Sequence, residues 1–281
     1  MKVALDLKYR VGVAFAGNEL LIRTDSHLVE KMAASVFQHH VSPSVDQNCA
    51  AIDVVQQEGA GDFLLMVEGQ LAGIASSVAE LPVMLMQLGQ RLLVFKEARQ
   101  AMLHAAVLAK NGRGFLFPAV AGSGKTTLTA WLLGQGYGLL SDELTSIGEG
   151  DDLDGFTRPL NIKPGSRALV AGFDWMGAAL ARSVLSSDVT LVSWDRSPVK
   201  NLSASIIVFP SYAAGSPCEV ESLSQGPCAR NLMGSLLNAR NLPKHGLSFA
   251  MHLAGTCPSY RVRYSRLQDV STWLDQILAD T

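Results

Sequence analysis

The chain contains a short apolar segment, a glycine-rich turn and a helical segment in direct succession, and this order limits its fold more than any other feature. Residues 114–117 are apolar and predict a strand that ends before Pro118. Residues 119–126 form the glycine-rich turn, and residues 127–133 have helical apolar spacing before two further glycines. A strand that leads through such a turn into a helix predicts a phosphate-binding loop.

Residues 121–127 carry the groups that would bind a phosphate. Glycines allow the backbone to turn tightly and direct N–H groups at phosphate oxygens, and a helix that begins there presents its positive end. Lys125 would reach the β- and γ-phosphates, and the Thr126 hydroxyl would bind Mg²⁺. The predicted nucleotide-binding residues are Ala121, Gly122, Ser123, Gly124, Lys125, Thr126 and Thr127. Ala119 stands where the usual pattern has glycine, and the alternative is an ordinary glycine-rich turn.

Two carboxylates follow the loop in the sequence, and their spacing predicts that they lie beside the loop in the fold. Asp142 lies 17 residues after Lys125, with Glu143 next, and one helix and one strand fill the interval. Phosphoryl transfer needs held phosphates, a metal ion and a group that orients or deprotonates the acceptor. One carboxylate would bind Mg²⁺ with Thr126, and the other would act towards an acceptor hydroxyl. The alternative is a solvated turn after a strand.

Three further side chains are candidates for the same site. Asn-Gly at 111–112, between two apolar runs, predicts a hairpin that sets His104 on the strand paired with the one feeding the loop. His104 is a candidate catalytic residue, with a hydrogen-bonded core histidine as the alternative. Arg158 and Lys163 lie in a segment rich in Pro and Gly, 157–166, which predicts a loop. They would contact the transferred phosphoryl group, or simply be solvated.

Composition limits the remaining possibilities. The chain has 281 residues, 48% hydrophobic and 17% charged, with a net charge of −2, which is typical of a globular protein and indicates neither a nucleic-acid nor a membrane partner. We find no uninterrupted apolar segment of about 18 residues and no signal peptide. Four cysteines without a C-x-x-C pair predict reduced thiols and a cytoplasmic location. A mean hydropathy of +0.20 is compatible with a homo-oligomer.

The rest of the chain alternates between strand and helix signals. Before the loop, strands are predicted at 2–7, 19–24, 50–56 and 63–68, and helices at 27–37 and from 82 through 91. After it, strands are predicted at 137–140, 189–194, 202–209 and 260–264, and helices at 229–237, 245–254 and 270–278. An acidic cluster at 151–154 predicts an exposed turn. The pattern indicates an α/β protein.

The segment from His104 through the loop to Asp142 and Glu143 resembles the C-terminal catalytic domain of HPr serine kinase/phosphorylase. It is most similar to shorter HPr-kinase-related proteins of bacteria, including kinases that occur with lasso-peptide biosynthesis and phosphorylate a precursor peptide. Segments 158–163 and 209–212 share the resemblance, which covers residues 100–215. It implies a phosphoenolpyruvate-carboxykinase-like P-loop kinase domain with mixed sheets over residues 99–281, after a small N-terminal α/β region over residues 1–98.

The resemblance also implies a reaction. It implies ATP and Mg²⁺ as cofactors, and as partner a peptide or small protein that offers a serine hydroxyl. Asp142 would be the base-like aspartate, Glu143 would replace a second aspartate as metal ligand beside Thr126, and His104 would match the histidine before the loop. Related kinases often form rings, which favours a homo-oligomer. The expected function is therefore an ATP-dependent serine kinase; the alternatives are a small-molecule kinase and a non-catalytic nucleotide-binding partner protein, and Ala119 favours the latter.

The family's Arg-Gly-x-Gly signature does not follow the acidic pair in this sequence. Its absence argues against phosphorylase activity and against HPr itself as the substrate. The N-terminal hundred residues also do not match the regulatory domain of the full-length enzyme.

Overall fold

The protein, in a computed structural model that describes residues 7–57, 61–95, 97–119, 122–180, 184–185, 190–194 and 198–279, is a mixed α/β protein with several mixed sheets. The chain divides into two compact units. The first unit comprises Met1–Glu97 and Val184–Leu191, and the second unit comprises Ala98–Ser183 and Val192–Thr281. In the described part of the chain, no helix is both long and apolar enough to cross a membrane.

Strands and helices alternate along the chain. The strands are β1 (Tyr9–Phe15), β2 (Asn18–Thr24), β3 (Ala50–Gln56), β4 (Phe63–Val67), β5 (Gln70–Ala75), β6 (Ala101–Lys110), β7 (Arg113–Pro118), β8 (Gly138–Ser141), β9 (Leu144–Ile147), β10 (Asp152–Gly155), β11 (Leu160–Ile162), β12 (Val184–Leu185), β13 (Thr190–Val192), β14 (Leu202–Tyr212), β15 (Glu219–Ser222) and β16 (Ser259–Tyr264). The α-helices are α1 (His27–Val36), α2 (Leu81–Phe95), α3 (Lys125–Gly134), α4 (Pro164–Ala171), α5 (Met176–Leu180), α6 (Gln225–Met233), α7 (Leu247–Thr256) and α8 (Leu267–Ala279).

The first unit is built on a five-stranded sheet in the order β1-β2-β3-β4-β5, against which α1 and α2 pack. Only β2 and β3 are parallel within it. In β1 the buried residues are Val11, Val13 and Phe15, the two-residue alternation of a strand with one face in the core. The short strands β12 and β13 pair antiparallel, with Val184 opposite Leu191.

The second unit is built on a sheet in the order β10-β9-β6-β7-β14-β16-β15, with β8 also paired to β6. Its strands β7, β14 and β16 are parallel neighbours, so their carboxyl ends meet at one edge. Both faces are covered: Phe115 and Phe117 of β7 share a core cluster with Leu128 of α3, whereas Leu116 shares another with Leu232 of α6. This double burial explains the continuous apolar run in front of the loop.

The predicted hairpin is confirmed. Strands β6 and β7 pair antiparallel up to Lys110 and Arg113, and the turn consists of Asn111 and Gly112. Both turn residues have positive φ, 53° and 74°, which is the backbone that Asn-Gly favours in a two-residue hairpin turn. His104 lies on β6, as predicted, opposite Leu144 of β9.

Two predicted loops contain regular structure. The segment 157–166 includes all of β11 and the start of α4, and the acidic cluster 151–154 lies largely in β10, where Leu153 is buried. In both segments a few apolar residues between polar ones pack into the core against the neighbouring sheet. This is a tertiary effect, which local composition does not predict.

Strand β14 continues through Pro210 to Tyr212, although the sequence predicted its end at residue 209. Its pairing with β7 reaches only Ile207, so beyond that point β14 is paired with β16 alone. The missing N–H of Pro210 therefore costs no hydrogen bond between strands. Residues 2–6 of the predicted strand 2–7 lie outside the described residues, and the strand observed nearby is β1.

Candidate functional site

The glycine-rich loop joins β7 to α3 in a backbone conformation that suits glycine. Gly122 and Gly124 have φ values of 88° and 87°, and Gly124 is the N-cap residue of α3. A Cβ added to Gly124 would lie 3.0 Å from Tyr264 Oη and 3.2 Å from Tyr212 Cβ. Glycine is therefore needed at position 124 both for its dihedral angles and for space. Ala121 lies outside the described residues, so its predicted role stays a prediction.

We expect Gly124→Ala to lower the free energy of unfolding by about 1–2 kcal/mol, because alanine is strained at positive φ and its Cβ meets two tyrosines. Gly122→Ala is the matched control, since its φ is equally positive but no atom of a described residue lies within 4 Å of an added Cβ. Urea unfolding of both variants measures the difference. A larger loss for Gly122→Ala would contradict the prediction.

Lys125 turns inward to the acidic pair from the first position of α3. Its Nζ donates a hydrogen bond to the backbone carbonyl of Asp142 at 2.9 Å and lies 3.5 Å from Glu143 Oε2. The side chain is only 6% exposed. Burial lowers the pKa of Lys125, and the charges of Glu143 and Asp142 oppose that shift. The structure thus brings the loop lysine and both carboxylates together.

Ser141 fixes the tight turn that carries the two carboxylates between β8 and β9. Its buried hydroxyl donates to the carbonyl of Leu144 and accepts hydrogen bonds from the backbone N–H groups of Glu143 and Leu144. The carbonyl of Glu143 also accepts from the N–H of Ala105 on β6. Sequence reasoning missed Ser141, although a serine just before an acidic turn is the available signal.

Glu143 contacts three basic side chains. Its Oε1 is 2.9 Å from His104 Nε2, and its Oε2 is 3.1 Å from Arg158 Nη2 and 3.5 Å from Lys125 Nζ. Burial of the carboxylate acts to raise its pKa, but the hydrogen bond from His104 and the charges of Arg158 and Lys125 outweigh it and hold the pKa well below the ordinary value. Glu143 is therefore ionised throughout the neutral range.

The environment of Asp142 shifts its pKa in the opposite direction from that of Glu143. Its side chain is 1% exposed, and Arg158 Nε lies 3.4 Å from Oδ1 in an ion-pair contact. Neither carboxylate oxygen accepts a hydrogen bond from any residue in the described part of the chain. Burial raises the pKa of Asp142, with Arg158 opposing the shift. Adjacent carboxylates whose pKa values are driven apart are a common feature of acid–base sites.

The other predicted residues lie at different positions around this group. Thr126 is partly buried in the first turn of α3, while Thr127 donates to Ser166 Oγ of α4 at 3.0 Å. The Ser123 hydroxyl is buried and has no hydrogen-bond partner among the described residues. Lys163 is exposed at the start of α4, and no ion pair joins it to a residue that the structure describes.

The two predicted metal ligands, Thr126 and Glu143, both carry side-chain oxygen atoms. Mg²⁺ prefers hard oxygen ligands, and the Thr126 hydroxyl and the Glu143 carboxylate are of this kind. The Asp142 oxygens add two acceptors that no described residue uses for a hydrogen bond. Both Glu143 oxygens already contact basic side chains, so a metal ion bound there would share this carboxylate with them.

No protein-family model matches this chain, and no curated protein is significantly similar to it. The candidate function therefore depends on the geometry of the loop, the lysine and the acidic pair.

Proposed function

We propose that the protein is an ATP-dependent kinase that transfers the γ-phosphate to a serine hydroxyl of a peptide or small protein. One observation carries the proposal: Lys125 follows a glycine-rich loop at the start of α3 and its Nζ hydrogen-bonds to the acidic turn of Asp142 and Glu143. The resemblance to HPr-kinase-related proteins supports the substrate class and a phosphoenolpyruvate-carboxykinase-like fold for the second unit.

The loop and Lys125 would hold the phosphates. Backbone N–H groups at a helix N-terminus and a lysine charge are the usual ligands of a triphosphate. Thr126 and Glu143 would hold Mg²⁺, which supplies charge neutralisation on the phosphates. Arg158 and Lys163 would lie on the side of the transferred group, and the His104 hydrogen bond keeps Glu143 oriented.

Asp142 would take the proton of the acceptor hydroxyl as the oxygen–phosphorus bond forms. A carboxylate whose pKa is raised by burial is a better base than an ordinary one. Because Asp142 is 1% exposed, the acceptor can reach it only after the side chains around it move. Arg158, which contacts Asp142 Oδ1, is the side chain seen there that would have to move.

A cytoplasmic location and a homo-oligomeric state belong to the same proposal. The four cysteines are free, which suits a reducing compartment. The ring assemblies of the resembling kinases support the oligomer.

Incubation of the protein with γ-labelled ATP, Mg²⁺, serine-containing peptides and a metabolite mixture tests the function. Label on a peptide supports the proposal. Label on metabolites alone would replace it with a small-molecule kinase, and ATP binding without transfer to any acceptor would replace it with a nucleotide-binding partner protein. Absence of ATP binding would overturn both the activity and the assignment of the loop.

We expect Thr126→Ala to raise the Mg²⁺ concentration needed for half-maximal transfer by about tenfold, an effect typical of groups that hold or orient a metal. Thr126→Ser retains the hydroxyl and should restore the wild-type Mg²⁺ dependence. ATP binding measured in EDTA should be the same in all three proteins, because only the metal ligand changes. An equal loss in EDTA would instead assign Thr126 to phosphate binding.

A further inference from the structure

Three elements of the second unit end together at the edge of its sheet where the glycine-rich loop lies. The loop follows β7, Tyr212 is the last residue of β14, and Tyr264 is the last residue of β16. These strands are parallel neighbours, so their carboxyl ends share one edge. In α/β sheets, ligands bind outside the carboxyl ends of parallel strands. Both tyrosines therefore lie at the edge where a nucleotide would sit.

Tyr212 contacts the glycine-rich loop directly. Its backbone N–H donates a hydrogen bond to the carbonyl of Ser123 at 3.3 Å, and its Cβ lies 3.2 Å from the position that a Cβ on Gly124 would take. The end of β14 and the phosphate-binding segment are thus held side by side. A ligand whose phosphates lie on this segment extends within reach of the Tyr212 side chain.

The ring of Tyr212 is exposed, although the other aromatic rings nearby are buried or half-buried. It is 55% exposed, and it is the only Phe, Tyr or Trp of the described side chains among the exposed residues. Its neighbour Tyr264 is 1% exposed and belongs to the core. Exposure of an aromatic face costs free energy in water, and that cost is recovered when a planar group covers it.

Tyr264 contacts the Tyr212 ring without covering both of its faces. The two ring centroids are 6.0 Å apart and the ring planes make an angle of 72°, an edge-to-face contact. Such a contact covers at most one face of either ring. Because Tyr212 is also 55% exposed, one face of its ring is available to a flat ligand.

We propose that Tyr212 is the residue on which the adenine base of the bound nucleotide stacks. The inference rests on the proposed function, because the phosphates must lie on the loop for the base to reach this ring. Stacking on an aromatic side chain uses the π-face that every base possesses. Tyr212 therefore adds affinity for a nucleoside over a bare polyphosphate, and it discriminates weakly between adenine and guanine.

Equilibrium binding of ATP and of inorganic tripolyphosphate, both with Mg²⁺, to the full chain tests this assignment. Tyr212→Ala keeps the backbone N–H that contacts Ser123, and Tyr212→Phe keeps the ring. We expect Tyr212→Ala to weaken ATP binding by roughly tenfold or more, the usual effect of losing one base-stacking contact. Binding of tripolyphosphate should stay unchanged, and Tyr212→Phe should bind both ligands as the wild type does.

The outcomes separate the two proposals. Equal ATP affinity of Tyr212→Ala and the wild type would overturn the stacking role while leaving the phosphate site intact. A loss of the same size for ATP and tripolyphosphate would also overturn it, because the substitution would then act through the loop. If the wild type binds neither ligand, the proposed function itself fails and the stacking role with it. Thermal unfolding of Tyr212→Ala checks that the exposed substitution leaves the fold unchanged.

Discussion

Replacing Lys125 with methionine is expected to reduce phosphoryl transfer by about 10²–10³-fold, the usual cost of removing one charged or donor group that stabilises a transition state. Methionine keeps the length of the side chain but has no charge for the β- and γ-phosphates. Because charge builds up on these oxygens as the phosphoryl group moves, the effect should fall on kcat as well as on KM. Initial rates with γ-labelled ATP measure both constants.

The fold should survive this substitution, because the acidic pair keeps two other basic neighbours. Arg158 lies 3.1 Å from Glu143 Oε2 and His104 lies 2.9 Å from Oε1. Lys110→Met is the matched control: it also removes a lysine from an ion pair, at 2.7 Å from Asp275, but at the opposite end of the β6–β7 hairpin. Equal transfer rates for Lys125→Met and the wild type would contradict the assignment of the loop.

Local signals in the sequence were sufficient for the parts of the site that are close in the chain. The Asn111-Gly112 turn specified the hairpin, because both residues tolerate positive φ. The glycines and the apolar spacing after them specified the start of α3. The lengths of one helix and one strand then predicted that Asp142 lies beside the loop. Each of these steps depends on backbone preferences or on element lengths within a few tens of residues.

The rest of the site depends on contacts that no local signal reports. Arg158 reaches both carboxylates from a segment whose Pro and Gly content predicted a plain loop. Tyr212 reaches the loop because β14 pairs parallel to β7, and strand order over such a long crossover is not encoded in residue spacing. Burial of Asp142 was also unpredictable, since a polar pair after a strand usually lies in a solvated turn.

Asp142→Asn is expected to have opposite effects on activity and stability. Transfer should fall by about 10²–10⁴-fold, because an amide cannot accept the hydroxyl proton, whereas ATP binding should persist. The free energy of unfolding at neutral pH should rise by about 1 kcal/mol. The substitution removes a buried carboxyl group whose pKa is raised by burial and whose oxygens have no hydrogen-bond partner among the described residues, and Arg158 retains its contact with Glu143.

The pH dependence of stability provides the sharper measurement. The pKa of Asp142 is raised in the folded state, so between the unfolded and folded pKa values the folded protein binds more protons. Its carboxyl group therefore lowers stability as the pH rises through that window, and the full cost persists above it. Urea unfolding as a function of pH should show this decline in the wild type and a smaller one in Asp142→Asn.

Glu143→Gln is the matched control because the pKa of this neighbouring carboxyl group shifts in the opposite direction from the pKa of Asp142. The pKa of Glu143 is lowered in the folded state, so its charge contributes stability above the unfolded pKa, and that contribution is lost as the pH falls through the folded pKa. Glu143→Gln should accordingly be less stable than the wild type at neutral pH, while Asp142→Asn is more stable. If both variants lose stability together, the folded protein stabilises the Asp142 carboxylate, and the raised pKa that supports its assignment as the acceptor-side base is wrong.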